Sequence, residues 1–221
     1  MKTAIIIGAT GLTGGLLLEK LLKDDSYKLI KVFGRRTTGI QSSKLKEFIG
    51  DIINLQTFKK DFTADEVFCC IGTTAKKTKD KETYKTIDYG IPKKAAILAK
   101  ENGIKTFVVI SAMGANSKST VFYNKTKGKM EKAVLKQQIE NAYILRPSLI
   151  KGKRTEFRLG EDMGNFFATL INPFLIGSLR KYRSIKAETI AKSMQNIVKY
   201  LPKQHIILSD EIKQIAEKKL E

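Results

Sequence analysis

Apolar residues recur along this chain in two alternating rhythms. Ala4 to Ile7 form an unbroken apolar run, as expected of a parallel strand buried on both faces. Leu16, Leu17, Lys20 and Leu21 then recur at helical spacing, with leucine on one face. "KLIKVFG" (Lys28 to Gly34) reads as a second strand, alternating around Leu29, Ile30, Val32 and Phe33. "LKEFIGDII" predicts a third short strand and "DEVFCCIG" (Asp65 to Gly72) a fourth. A helix follows from about Lys79 to Asn102, then "IKTFVVISAMG" as a fifth strand, "TVFYNKTKGKMEKAVLKQQ" as a helix and "AYILRPSLI" as a sixth strand. Strand and helix alternate throughout, which predicts an α/β fold, a doubly wound parallel sheet covered on both faces.

The tail predicts helices near Met163 to Leu170 and Ala187 to Leu201, a brief strand at Ile206 to Leu208 and a helix from Ser209. We read residues 1–221 as a single domain in which 151–221 supply smaller cap elements over the ligand-facing, substrate side of the sheet. A chain of 221 residues buries roughly 70% of its surface on folding and needs no disulfide staple.

Glycine falls at Gly8, Gly11 and Gly14, where the first strand hands over to the first helix. A side chain there would block a sharp backbone turn and the approach of a ligand to the first amides of the helix. Those amides lack partners within the helix and, with its dipole, carry roughly half a positive charge. Thr10, Gly11, Leu12, Thr13 and Gly14 are therefore the expected seat of a dinucleotide pyrophosphate. In such a fold the end of the second strand meets the adenosine ribose, where a carboxylate selects NAD and an arginine accepts the 2'-phosphate of NADP. This chain reads "FGRRTT" there, with Arg35 and Arg36 and no carboxylate, so the expected cofactor is NADP(H).

Charge and cysteine content narrow the remaining classes. A formal net charge of +19 raises the question of nucleic acid, but the basic residues are mostly lysine, spread through predicted helices among acids. No specific nucleic-acid partner is expected. Cys69 and Cys70 are adjacent in a predicted strand, so they point to opposite faces and do not pair. His205 is the single histidine, and neither a zinc site nor a serine triad assembles around it. No metal is expected. The N-terminal apolar stretch is short and broken by glycine, so no membrane span or signal peptide is read there, and a cytoplasmic protein is the default.

Tyr123 and Lys127 in "FYNKTKGK" lie four residues apart, on one helix face, where an ammonium can sit beneath a phenol and lower its pKa. Ser111, at the end of the fifth strand, precedes Tyr123 by 12 residues. The set "GATGLTG", "GRR", "CCIGTT", "YKTIDYGIPKKAAILAKENGIKTFVVISAMGA", "YNKTKGKME" and "YILRPSLIKGKR" resembles the atypical short-chain dehydrogenase/reductases related to the Tat-interacting, oxidoreductase-like proteins. The likeness covers most of the chain and fades after about Gly160.

The resemblance implies an NADPH-binding Rossmann domain with Tyr123, Lys127 and Ser111 as catalytic residues. It further implies that Asp51 contacts the adenine amino group with Ile52 against the ring. Cys70, Gly72, Thr73 and Thr74 would pass over the adenosine side, Lys127 would meet the nicotinamide ribose, and Pro147 would lie against the nicotinamide, near Arg146 and Ser148. Two departures stand out: Ala112 replaces a second serine that many relatives use, and Asp88 stands where extended relatives often have asparagine. The expected activity is NADPH-dependent reduction of a small carbonyl substrate. The alternative is an NADP(H)-sensing regulator or scaffold with a protein partner and little turnover. Arg154 and Arg158 either hold an anionic substrate or face water.

Overall fold

The structure is a computed structural model that describes residues 1–74, 77–152 and 182–218. β1 (Lys2–Ile7), β2 (Tyr27–Gly34), β3 (Leu45–Ile49), β4 (Glu66–Cys69), β5 (Thr106–Ile110), β6 (Asn141–Arg146) and β9 (Ile206–Leu208) form one sheet in the order β3-β2-β1-β4-β5-β6-β9. Every pairing is parallel. The order reverses between β1 and β4, and in open sheets of this kind ligands bind beyond the carboxyl ends of the strands at that switch point. The expected doubly wound Rossmann fold is therefore the observed one.

Alternation along β1 divides the core. Ala4 and Ile6 face Leu17, Leu18 and Leu21 of α1 (Leu12–Leu22) together with residues of α5 (Ala187–Tyr200) and α6 (Ser209–Glu217). Ile5 and Ile7 face α3 (Ile91–Glu101) and α4 (Phe122–Leu135) through Ala95, Ala96, Leu98, Met130 and Val134. Cys69 packs on the second side and Cys70 on the first, both as free thiols, as strand geometry requires.

Three elements differ from the sequence reading. The third strand ends at Ile49, and the residues after it form a 3-10 turn over Ile52–Phe58, capped by Asp51, which accepts from the Ile53 amide at 2.9 Å. The helix expected from Lys79 to Asn102 is α2 (Lys81–Lys85), a π-helical turn (Thr86–Gly90) and α3. Pro92 supplies the physical reason: it has no amide to give the Asp88 carbonyl four residues back and its ring crowds that carbonyl, so the turn widens.

The tail is the third difference. β9 extends the sheet beside β6, and α5 packs along α1, so these elements belong to the body of the sandwich rather than to a cap. A two-stranded pair, β7 (Ile150–Lys151) with β8 (Ile185–Lys186), stands past the end of β6. The helix expected at Met163 to Leu170, and Arg154 and Arg158, lie outside the described residues.

Candidate functional site

The glycine loop crosses from β1 to α1 under tight constraint. Gly8 has φ +89°, and its carbonyl accepts from the Gly11 amide at 3.0 Å. A Cβ at Gly14 would lie 2.2 Å from the Gly8 carbonyl oxygen, so only glycine lets helix and loop approach this closely. α1 begins after Gly11 with no side chain capping its first amides and no acid in its first turn. Thr10 and Gly11 are exposed, whereas Thr13 is buried. A bare, positively polarised helix start framed by glycine fits a dinucleotide phosphate.

Arg35 and Arg36 are exposed just past β2. The loop that follows them is held by Glu47 on β3, a residue that sequence reasoning missed. Both of its oxygens are engaged: it accepts from the Thr37 hydroxyl at 2.5 Å, and from the Thr38 amide and hydroxyl at 2.7 Å each. These bonds hold its carboxyl below the usual range against a burial effect that opposes them, and they tie down the loop that carries the two arginines. Asp51 is exposed, as its expected role requires. Ile52 is a correction: its side chain is in the core, packed in the same cluster as Leu55 and Phe33, so it cannot lie against an adenine. The exposed apolar neighbours are Ile49 and Ile53.

Tyr123 and Lys127 do come together on α4. The Lys127 ammonium is buried and lies 2.8 Å from Asp88 Oδ1. The other carboxylate oxygen of Asp88 accepts from the Thr73 amide at 2.8 Å. Gly72 borders the pair: a Cβ there would sit 3.7 Å from Asp88 Oδ1 and 3.9 Å from Lys127 Nζ. Asp88 thus joins the loop after β4, which carries Gly72, Thr73 and Thr74, to the helix of Tyr123. Burial alone would lower Lys127, but the Asp88 carboxylate overrides it and raises the ammonium above the ordinary lysine value. For Tyr123, burial raises the phenol, Lys127 opposes and Asp88 adds to the rise.

Ser111 is a second correction. Its side chain is only 4% exposed and donates to Glu131 Oε1 at 2.5 Å, so its hydroxyl is directed into the protein rather than toward a substrate carbonyl. Arg146 closes the network, with Nε 2.9 Å from Oε1 and Nη2 2.5 Å from Oε2 of the same carboxylate. Glu131 follows Lys127 by four residues, as Lys127 follows Tyr123, so the three share one face of α4. That spacing was the signal for Glu131. Pro147 is buried and its carbonyl accepts from the Met113 amide at 3.1 Å.

Residues 8–171 match the family model described as NAD(P)H-binding. The match spans well over half of the chain and contains the glycine loop and the Tyr123–Lys127 helix. The chain belongs to the NAD(P)H-binding family. One relative within it, "Protein FMP52, mitochondrial" of Candida albicans, is 35% identical over 185 residues, covering 80% of this chain and 78% of the relative. "Protein HTATIP2" of Rattus norvegicus is 28% identical over 200 residues, covering 89% and 86%. These relatives of the NAD(P)H-binding chain agree with the resemblance to the Tat-interacting, oxidoreductase-like proteins that the motifs carried.

Solved structures agree on the fold. The UDP-glucuronic acid 4-epimerase of Bacillus cereus in complex with NAD is 16% identical with a TM-score of 0.69, over 98% of this chain and 85% of that one. The enzyme WbmG of Bordetella bronchiseptica in complex with NAD and UDP has a TM-score of 0.59 at 17% identity over 71% of this chain, which spans only 56% of that protein. The expected cytoplasmic location is overturned: FMP52 relatives from several fungi are named mitochondrial. Composition carries no mark that separates the two compartments. Among the described residues no helix is long and apolar enough to cross a membrane, and no cluster of His, Cys, Asp and Glu is arranged to hold a metal.

Proposed function

We propose that this chain is an NADP(H)-dependent reductase of a small carbonyl substrate, in the mitochondrial setting that the names of its fungal relatives carry. The observation that carries the reading is the buried Lys127 ammonium, held by Asp88 four residues along α4 from Tyr123, at the end of the sheet where the glycine loop opens. When bound, the reduced nicotinamide supplies a hydride. Tyr123 gives its phenolic proton to the carbonyl oxygen, with Lys127 held beside it by Asp88. Tyr123 is 41% exposed, which leaves a route for solvent to return the proton. Gly11 to Gly14 seat the pyrophosphate, and Arg35 and Arg36 take the 2'-phosphate.

Two measurements test this reading. Calorimetry should give heat with NADPH and much less with NADH, and NADPH oxidation against a panel of aldehydes, ketones and quinones should identify a substrate. Tyr123→Phe is expected to lower that rate about a hundredfold or more with NADPH affinity unchanged. No binding of either nucleotide, or full turnover by Tyr123→Phe, defeats the proposal. The loop after β2 makes a separate prediction. Glu47→Ala frees Thr37 and Thr38, and NADPH affinity should fall about tenfold, about 1.4 kcal/mol, with little change for NADH. Equal losses for both nucleotides would mean that the loop does not read the 2'-phosphate.

A second reading, a nucleotide-responsive scaffold without turnover, is favoured by one observation: the Ser111 hydroxyl is committed to Glu131. Partner capture that depends on NADPH, from a protein inert across the panel, would support it.

A further inference from the structure

We infer that Asp88 is a positioning residue that holds the Lys127 ammonium beside Tyr123 and, by offsetting its charge, keeps Tyr123 in the phenol form. The inference rests on the reductase reading and deepens it by assigning a positioning residue to the Tyr123–Lys127 pair.

Geometry carries the argument. Lys127 Nζ and Asp88 Oδ1 are 2.8 Å apart with both side chains buried, so solvent screens neither charge. Asp88 is fixed from a second side by the Thr73 amide at 2.8 Å. The π-helical turn ahead of Pro92 presents it toward α4. A lone ammonium beside a phenol would favour the phenolate strongly. An ammonium closely paired with a carboxylate offers the phenol only a dipole, and much of that pull is gone.

The other groups around the pair do not restore it. From α2, Tyr84 stacks edge-on to Tyr123 with ring centroids 6.5 Å apart and carries no charge at neutral pH. From β4, the Cys69 thiol is pushed up to about 11 by burial and is also neutral. Lys81 lies 5.7 Å from the Phe122 ring, at the start of α4. Burial first, and then the offset of the Lys127 charge by Asp88, keep the proton on the phenol through the neutral range. In the reductive direction a C–H bond forms as hydride arrives, the carbonyl oxygen takes the proton from Tyr123, and water resupplies it.

The test reads Tyr123 directly, without substrate or nucleotide, so its outcome is separate from whether the chain is a reductase. The phenolate absorbance is titrated in the parent and in Asp88→Asn, with Tyr123→Phe in each background to assign the signal. Asparagine retains an oxygen for the Thr73 amide and removes only the charge. The Tyr123 midpoint is expected to fall by about one pH unit or more in Asp88→Asn, a tenfold rise in acid dissociation; an unchanged midpoint overturns the inference. Should that variant not fold, Asp88→Asn with Lys127→Gln replaces the pair by neutral groups. There the midpoint is expected to stay within about half a unit of the parent. A clear rise in the double variant would mean that the ammonium acts on Tyr123 uncancelled, and the inference fails.

Discussion

Gly14→Ala is expected to abolish nucleotide binding, with the NADPH affinity falling at least about a hundredfold, about 2.7 kcal/mol. The added Cβ would meet the Gly8 carbonyl oxygen at 2.2 Å, its carbon at 2.8 Å and the Ala9 Cα at 3.1 Å. All three are backbone atoms, so no rotamer change relieves the overlap. Nor can the loop retreat, because Gly8 already faces the Cys70 carbonyl, where a Cβ would sit at 3.0 Å. Overpacking of this kind costs about 1–3 kcal/mol or more of stability, and the relaxation that limits it must move the amides on which the pyrophosphate would rest. Gly15→Ala is the control: its Cβ would meet only the Ala9 carbonyl oxygen, at 3.2 Å, and its effect should be small. Calorimetry and thermal melts of both variants decide the matter. An affinity for Gly14→Ala within threefold of the parent would remove the loop from the binding site.

Lys127→Met is expected to destabilise the fold by about 3–5 kcal/mol, because it leaves the fully buried Asp88 without its cationic partner. The combined Asp88→Asn and Lys127→Met variant should recover most of that loss, since burying two neutral groups is far less costly than burying one orphaned charge. Urea unfolding of the two single variants and the double variant, taken as a cycle, isolates the coupling. Near-additive losses would mean that the pair contributes little to the fold. The pH dependence has a defined sign. Lys127 is raised above its unfolded value, so its contribution is complete below the ordinary lysine pKa near 10.5 and is lost only as pH rises through the higher folded value. Stability from this pair should be level across neutral pH and decline in strong alkali.

Much of the frame was legible in the residues, and the parts that were not share a cause. The apolar run of β1, the glycines after it and the four-residue step from Tyr123 to Lys127 are local patterns, and each fixes a local geometry. Where the Ser111 hydroxyl points is decided by Glu131, twenty positions later, and by Arg146 behind it. Ile52 is turned into the core because Asp51 caps a 3-10 turn, which a strand reading of "LKEFIGDII" concealed. Pro92 was visible, but its effect falls on Asp88, four residues before it, and alters a helix that periodicity alone draws as continuous. The tail's place in the body of the sandwich escapes a reading that expects cap elements, because its partner on α1 lies more than 150 residues away.

That last pairing bears on the order of events during synthesis. Leu17, Leu18 and Leu21 of α1 are covered in part by Ile190, Met194 and Ile197 of α5, and Asp24, just beyond α1, is held by Gln195 and Lys199 at 2.8 Å each. At about 5–20 residues per second a ribosome takes roughly ten seconds or longer to travel that stretch. Throughout the interval the helix that fronts the nucleotide keeps an oily flank uncovered. A helix made well before its cover is among the last parts to be finished, and nascent chains stalled before residue 187 should be the ones that chaperones hold.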